Sequence, residues 1–341
     1  MPTLPPYREI TIAPGTEGMR LDRWLALRFA DRSRSYFARA IRDGLVVTAD
    51  GRRLDCAHRV TAGLALHLYV PGIAPGTAPP PFPPILHEDA RLIAVDKPAG
   101  LLAHPAGSAF VWAVISLAKR RYPDERVDLV HRLDRDTSGV LVLTRDLDAN
   151  RRLKEAIHDG ELHKEYEAIV KGVIPWDHRL LDGPIGPADG PIRVQMAVRD
   201  DGLDARTEVE VLDRTDRFTR VRCILHTGRT HQIRVHLAHA GFGLLGDRLY
   251  GVPPEVFLRI RASGVDDQVI AAAGAPRHAL HARRTTLPHP DGGTVTIEAP
   301  TPPDLARWWA RPEVLPLDRP EPTEAAPPEP TATSEASPTE G

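Results

Sequence analysis

Hydrophobic and polar positions change period along this chain, and the predicted elements follow the changes. Residues 7–13 alternate as a short strand. Leu21, Trp24, Leu25 and Arg28 then recur at helical spacing, with Asp22 and Arg23 off that face. A second helix is expected over 35–43, with Gly44 placed to cap it in the left-handed conformation. Strands at 45–48 and 64–70 flank a polar Ala49-Asp50-Gly51 turn. The proline-rich run 71–84 excludes a helix or an inner strand and reads as extended and semi-rigid.

Farther on, the pattern predicts a strand at 92–95, an apolar helix at 110–117 and a continuous apolar strand at 140–143. A helix at 147–157 and a strand at 165–170 come next, then period-two strands at 192–198, 207–212 and 218–225. The next helix has Thr230 as N-cap, Gly241 as its stop, and Ile233, Leu237 and Ala240 as its apolar stripe. A last strand is expected near 295–298. Strands outnumber helices and sit in meanders. The expected class is therefore α+β: a mixed, mostly antiparallel central sheet with flanking helices, plus a small N-terminal α/β domain. The expected boundaries are 1–72 for that domain, 73–84 for the linker, 85–314 for the larger domain and 315–341 for a disordered, acidic, proline-rich tail.

Charge changes the picture only once it is divided. The 341 residues carry a formal charge of −2. Residues 315–341 hold six acids and one base, net −5, which leaves +3 for the rest. Residues 19–72 hold ten Arg and five Asp with no Lys or Glu, so the front end is basic. Such Arg-rich segments suit phosphate contacts, although a charge run is also what a solvated face looks like. The two cysteines, Cys56 and Cys223, lack disulfide or zinc spacing. The first residues lack the basic and apolar regions of a secretory leader and no apolar run reaches membrane length, so neither a leader nor a membrane span is expected. A cytoplasmic monomer is expected.

The candidate chemistry centres on His131-Arg132-Leu133-Asp134-Arg135-Asp136-Thr137-Ser138-Gly139, a charged loop that runs straight into the apolar 140–143 strand. That places Asp134 at the mouth of a buried strand, held yet reachable. The tetrapeptide alone is read equally well as a capped turn whose two Arg neutralise the acid. His-Arg-Leu-Asp-x-x-Thr-Ser-Gly, however, resembles the active-site motif of the RluA-type RNA pseudouridine synthases. The resemblance extends to the Lys97-Pro98-Ala99-Gly100 turn, Lys164-Glu165-Tyr166, Gly228-Arg229-Thr230-His231-Gln232-Ile233-Arg234-Val235-His236, the 245–251 segment Leu-Gly-Asp-Arg-Leu-Tyr-Gly and Leu280-His281-Ala282. Residues 20–25 and 41–47 resemble the small RNA-binding domain of the ribosomal-protein-S-four kind.

The resemblance implies an isomerase with Asp134 as catalytic carboxylate, Arg234 as its ion-pair partner and Tyr166 against the target base. It implies RNA contacts from Arg32, Arg34, Arg39, Arg42, Arg132, Arg135, Arg229 and His231. Large-subunit ribosomal RNA is the expected substrate, with transfer RNA as the alternative. A non-catalytic RNA-binding factor would be expected to have lost Asp134, Tyr166 or Arg234. A glycoside hydrolase built on Asp134 and Asp136 has only a weak signal. Isomerisation oxidises nothing, so no cofactor is expected. His236 and His239 share a helix face but have no acid nearby in sequence, so no metal is expected either.

Overall fold

A computed structural model describes residues 8–29, 33–69, 79–105 and 112–310. Arg32, Val70 at the end of the expected 64–70 strand, residues 71–78 of the proline-rich run and the whole 315–341 tail lie outside the described residues.

At the front, β1 (Arg8–Thr11), α1 (Leu21–Arg28), α2 (Arg34–Arg42), β2 (Val46–Thr48) and β3 (Ala65–Leu68) surround their own apolar cluster. The strands pair antiparallel in the order β1-β3-β2. Leu21, Trp24 and Leu25 from α1 meet Phe37, Ala40 and Ile41 from α2, so α1 buries the apolar part of its expected stripe while Arg28 stays exposed. The Ser33 side chain accepts from Tyr36 N to start α2, and Gly44 takes φ 74° just past its end. Asp22 departs from expectation. It is buried, because Arg20 and Arg34 both donate to its carboxylate at 3.1 Å.

The second, larger body starts with β4 (Ile85–Glu88) and β5 (Leu92–Lys97), then α3 (Val114–Arg121), β6 (Asp128–Leu129), β7 (Ser138–Thr144) and α4 (Leu147–His158). The meander follows: β8 (His163–Lys171), β9 (His178–Asp182), β10 (Ile185–Pro187), β11 (Met196–Val198), β12 (Arg206–Arg214) and β13 (Phe218–Leu225). The chain closes with α5 (Gln232–His239), α6 (Pro254–Ser263), α7 (Asp267–Ala273), β14 (Leu280–Pro288), β15 (Thr294–Glu298) and α8 (Pro303–Ala310). The main sheet runs β4-β5-β7-β14-β8-β13-β12-β9, with β15 on β14 and β6 on β7. Its pairs are antiparallel apart from β7–β14, which is parallel. The α+β expectation thus holds.

All of β7 is buried, because its two sets of alternating side chains enter different clusters. Leu141 and Leu143 join one with Tyr166, Val221 and Leu237, while Val140 and Val142 join another with Leu153 and Leu287. A strand covered on both faces has to be apolar throughout, which explains the continuous run.

Three expected elements shift. The 110–117 helix instead begins at Val114 and runs on through Lys119, Arg120 and Arg121; Phe110 and Val111 lie outside the described residues. The 192–198 strand shrinks to β11, because Gln195 N turns back onto Ile192 O. The Thr230 cap moves to His231, as described below. Among the described residues no helix is long and apolar enough to cross a membrane.

Candidate active site

Gly139 shows why Asp134 stands where it does. It opens β7 at φ 109°, and a side chain there would strike the Ala282 carbonyl on β14. Only glycine allows the two strands this approach. The preceding residues are stitched to the same late segment: Thr137 Oγ1 bonds His278 Nε2 at 2.8 Å, and Ser138 Oγ bonds His281 Nδ1 at 2.9 Å. Burial pushes both imidazoles down to about 4, so they act as neutral hydrogen-bonding struts. Arg277 donates to the Asp136 carbonyl at 3.0 Å and grips Asp304 of α8 through two bonds of 2.7 and 2.9 Å.

The loop is held from below as well. The Lys97 ammonium is fully buried and donates to the carbonyls of Pro98 (2.9 Å), Leu101 (2.7 Å) and Arg135 (3.0 Å). Burial lowers it to about 7, against the pull of Asp136 and Asp134. Gly100 N donates to the same Arg135 carbonyl at 2.9 Å, so the Lys-Pro-Ala-Gly turn and the Asp134 loop form one clamp.

Above it sits the ion pair. Arg234, on the first turn of α5, is itself buried, and its planar fork serves two carboxylates. Nε and Nη2 donate to Asp247 at 2.7 and 2.9 Å, while Nη1 donates to Asp134 Oδ2 at 2.8 Å. Asp247 is wholly buried and also accepts from the backbone N–H of Leu249 and Tyr250. The Arg234 guanidinium lies 5.0 Å from the centre of the Tyr250 ring. Asp134 by contrast keeps 30% of its side chain open to solvent, so one carboxylate anchors the arginine and the other meets the outside. Burial alone would raise the Asp134 carboxyl, but the Arg234 guanidinium, by its charge and its hydrogen bond, outweighs it and holds the group below the usual carboxylate range.

His231 takes the N-cap position of α5 with φ 59° and ψ 18°, the left-handed region. For a residue other than glycine this costs roughly 1–2 kcal/mol. It turns the ring so that Nδ1 bonds the Tyr250 hydroxyl at 2.8 Å and Nε2 stands 3.8 Å from Asp134 Oδ2. Burial lowers its pKa, with Asp134 opposing.

Tyr166 is buried on β8, in register with Cys223 and Ala282. Burial, and then the negative charge of Asp134, push its hydroxyl well above the ordinary range, so it keeps its proton. Asp134, Arg234 and His231 are thus in contact, and Tyr166 is near enough to feel the carboxylate. Arg132 and Arg135 are exposed on the loop itself, with Arg135 Nε on the Gly100 carbonyl at 3.1 Å. Arg229 is exposed ahead of α5 rather than on it and donates to Asp204 O at 2.9 Å. Arg34, Arg39 and Arg42 are exposed on α2, in the separate N-terminal cluster. Asp136 pairs with Arg248 rather than with a second catalytic acid.

Sequence reading names neither Asp247 nor Tyr250 as a site residue. Their one signal is the Leu-Gly-Asp-Arg-Leu-Tyr-Gly segment, where Gly246 at φ 75° has no room for a side chain against the Arg277 carbonyl. His236 is satisfied by Thr207 and the Gly183 carbonyl, both at 2.9 Å. Among the described residues no three His, Cys, Asp or Glu gather as a metal site.

The family described as RNA pseudouridylate synthase matches residues 91–239, which span the Asp134 loop, β8 and α5. The ribosomal large subunit pseudouridine synthase D of Xanthomonas campestris pv. campestris is 36% identical over 313 residues, 88% of this chain and 91% of that protein. The protein of the same name from Pseudomonas aeruginosa is 38% identical over 297 residues, covering 84% and 90%. Among solved structures, human RNA pseudouridylate synthase domain containing 4 aligns at a TM-score of 0.52 with 28% identity, over 67% of this chain and 92% of that one. Likeness of this degree extends over most of both chains: the chain belongs to the RluA-type RNA pseudouridine synthases and is an isomerase.

Proposed function

We propose that this enzyme isomerises uridines of large-subunit ribosomal RNA in the cytoplasm, with Asp134 as its essential carboxylate. The observation that carries this reading is the Asp134–Arg234–Asp247 relay, which keeps a partly open carboxylate ionised. The ribosomal assignment draws on the names of the relatives and on the basic front end. The N1–C1′ bond of uridine breaks, the uracil turns, and C5 joins C1′. The proton lost from C5 is balanced by one gained at N1. Asp134 supplies the negative oxygen needed at the sugar or ring. Tyr166 packs against the uracil, and its hydroxyl stays neutral. The C5 proton therefore reaches it only as its own proton leaves.

The uridine must leave its stack, at a cost of a few kcal/mol. Arg132 and Arg135 offset this at the loop, with Arg229 and His231 beside it. Residues 1–72 act as a separate ribosomal-protein-S-four-like domain that grips RNA through Arg32, Arg34, Arg39 and Arg42. The proline-rich 73–84 linker joins it to the catalytic domain of 85–314. The test is to map pseudouridines in cells lacking the gene and in cells restored with the wild type or with Asp134→Asn. Sites in large-subunit RNA should vanish, return with the wild type and stay absent with the variant. Sites lost from transfer RNA alone would replace the substrate assignment.

A further inference from the structure

Buried cations elsewhere in the larger body have partners. Arg234 has two carboxylates, Arg277 has Asp304, Lys97 has three carbonyls and Lys171 has the Gly251 carbonyl. Lys164 differs. It is partly buried on β8, two residues ahead of Tyr166, and no group among the described residues accepts a hydrogen bond or ion pair from its ammonium, which still reaches solvent. Burial lowers its pKa, and no charged neighbour opposes the effect. A desolvated ammonium without a counter-charge destabilises a fold.

Its position is specific. Nζ lies 3.5 Å from where a side chain on Gly228 would begin, and its charge reaches His131. His131 stands three residues before Asp134, and Gly228 three residues before His231. The ammonium therefore sits between the two segments that deliver the reacting carboxylate and its neighbouring imidazole. Each segment also carries an exposed arginine next in sequence, Arg132 and Arg229.

We propose that Lys164 is a phosphate site, which takes a backbone phosphodiester of the RNA beside the extruded uridine. A nucleotide entering the Asp134 pocket carries such an anion on either side, and a compact ammonium suits a phosphate oxygen. The inference rests on Asp134 being the reacting group. Binding supplies the missing counter-charge, so the unpaired state exists only in the free enzyme.

The experiment uses the full chain and a synthetic RNA hairpin that contains a mapped target uridine. Single phosphates around the target are replaced by uncharged methylphosphonates. For the wild type, kcat/KM should fall about tenfold at one linkage, as for loss of a charge-assisted hydrogen bond. Lys164→Met should lose about tenfold on unmodified RNA and nothing further at that linkage, while Lys164→Arg recovers most of the rate. The thermal midpoint of Lys164→Met should rise by about 2 °C or more, since an unpaired charge is gone. Losses that multiply at every linkage, or a falling midpoint restored by Arg, overturn the proposal by making Lys164 structural. Full activity of Asp134→Asn on the same hairpin would instead remove the reading beneath it, and the linkage scan would still report whether Lys164 meets a phosphate.

Discussion

Arg234 and the arginines of α2 carry the same group in opposite settings. Arg234 is sealed between Asp134 and Asp247, and each of its three bonds has a fixed length and direction. Arg39 and Arg42 stand in solvent, and Arg34, 56% exposed, merely leans on Asp22. A guanidinium in the first setting fixes geometry and holds a carboxylate ionised, and salt hardly touches it. In the second setting it supplies affinity that falls with every increment of salt. On the proposed function, one region tunes the reaction and the other the encounter with RNA.

That division breaks first at Asp134. Asp134→Asn should cut turnover at least about a thousandfold, while RNA affinity by filter binding stays within a few-fold because phosphates dominate it. Near-normal turnover would unseat Asp134.

Arg234→Ala comes next, at roughly a hundredfold or more in kcat/KM. It also destabilises by about 3–5 kcal/mol, because Asp247 is left buried and unpaired. Asp134 titrates below its ordinary range; with the ionised form active, as proposed, the rate falls only as the pH drops through that lowered value. Without Arg234, burial raises the carboxyl, and the acid limb of the pH–rate profile should move upward. Arg234→Lys returns the charge without the fork and should rescue partly. An unmoved acid limb in both variants would argue that Arg234 does not set the ionisation of Asp134.

Replacing Arg34, Arg39 and Arg42 together with Ala should weaken binding to long RNA about tenfold. The salt slope should drop by roughly two to three, with kcat unchanged. A constant slope would make α2 a solvated face. Arg229→Ala is the smallest effect expected, about two- to threefold in KM, because its link to Asp204 O is exposed. If it proved worse than Arg234→Ala, the two arginines of that segment would exchange roles.

How much of this was legible depends on how local the cause is. β7 is readable because both its faces are covered, and the end of α2 because Gly44 marks it. The start of α5 is not, since a histidine with positive φ is chosen by its contacts with Tyr250 and Asp134. α3 was placed too early because its last turn is Lys119-Arg120-Arg121, which hides the end of an apolar helix. Asp22 reads as one more surface acid until Arg34 is brought across from the next helix. The site divides in the same way. Its motif residues stand out in the chain, but Asp247 earns its role only by meeting Arg234, and Arg277 by joining the Asp134 loop to α8. Helices α6, α7 and α8 show at most two buried side chains each among the described residues, so no apolar stripe marks them in the sequence.

The position of β14 has a consequence for how the protein is made. This strand lies between β7 and β8 in the sheet, yet it is synthesised long after both. Until its last residues leave the ribosome, β7 and β8 each keep an unpaired edge, and Thr137, Ser138 and Asp136 lack His278, His281 and Arg277. A nascent chain therefore carries the Asp134 loop without its braces from the β14 side, held only by Lys97, Gly100, Arg234 and Arg248. A chain broken off before β14 exposes two apolar strand edges, the template for aggregation.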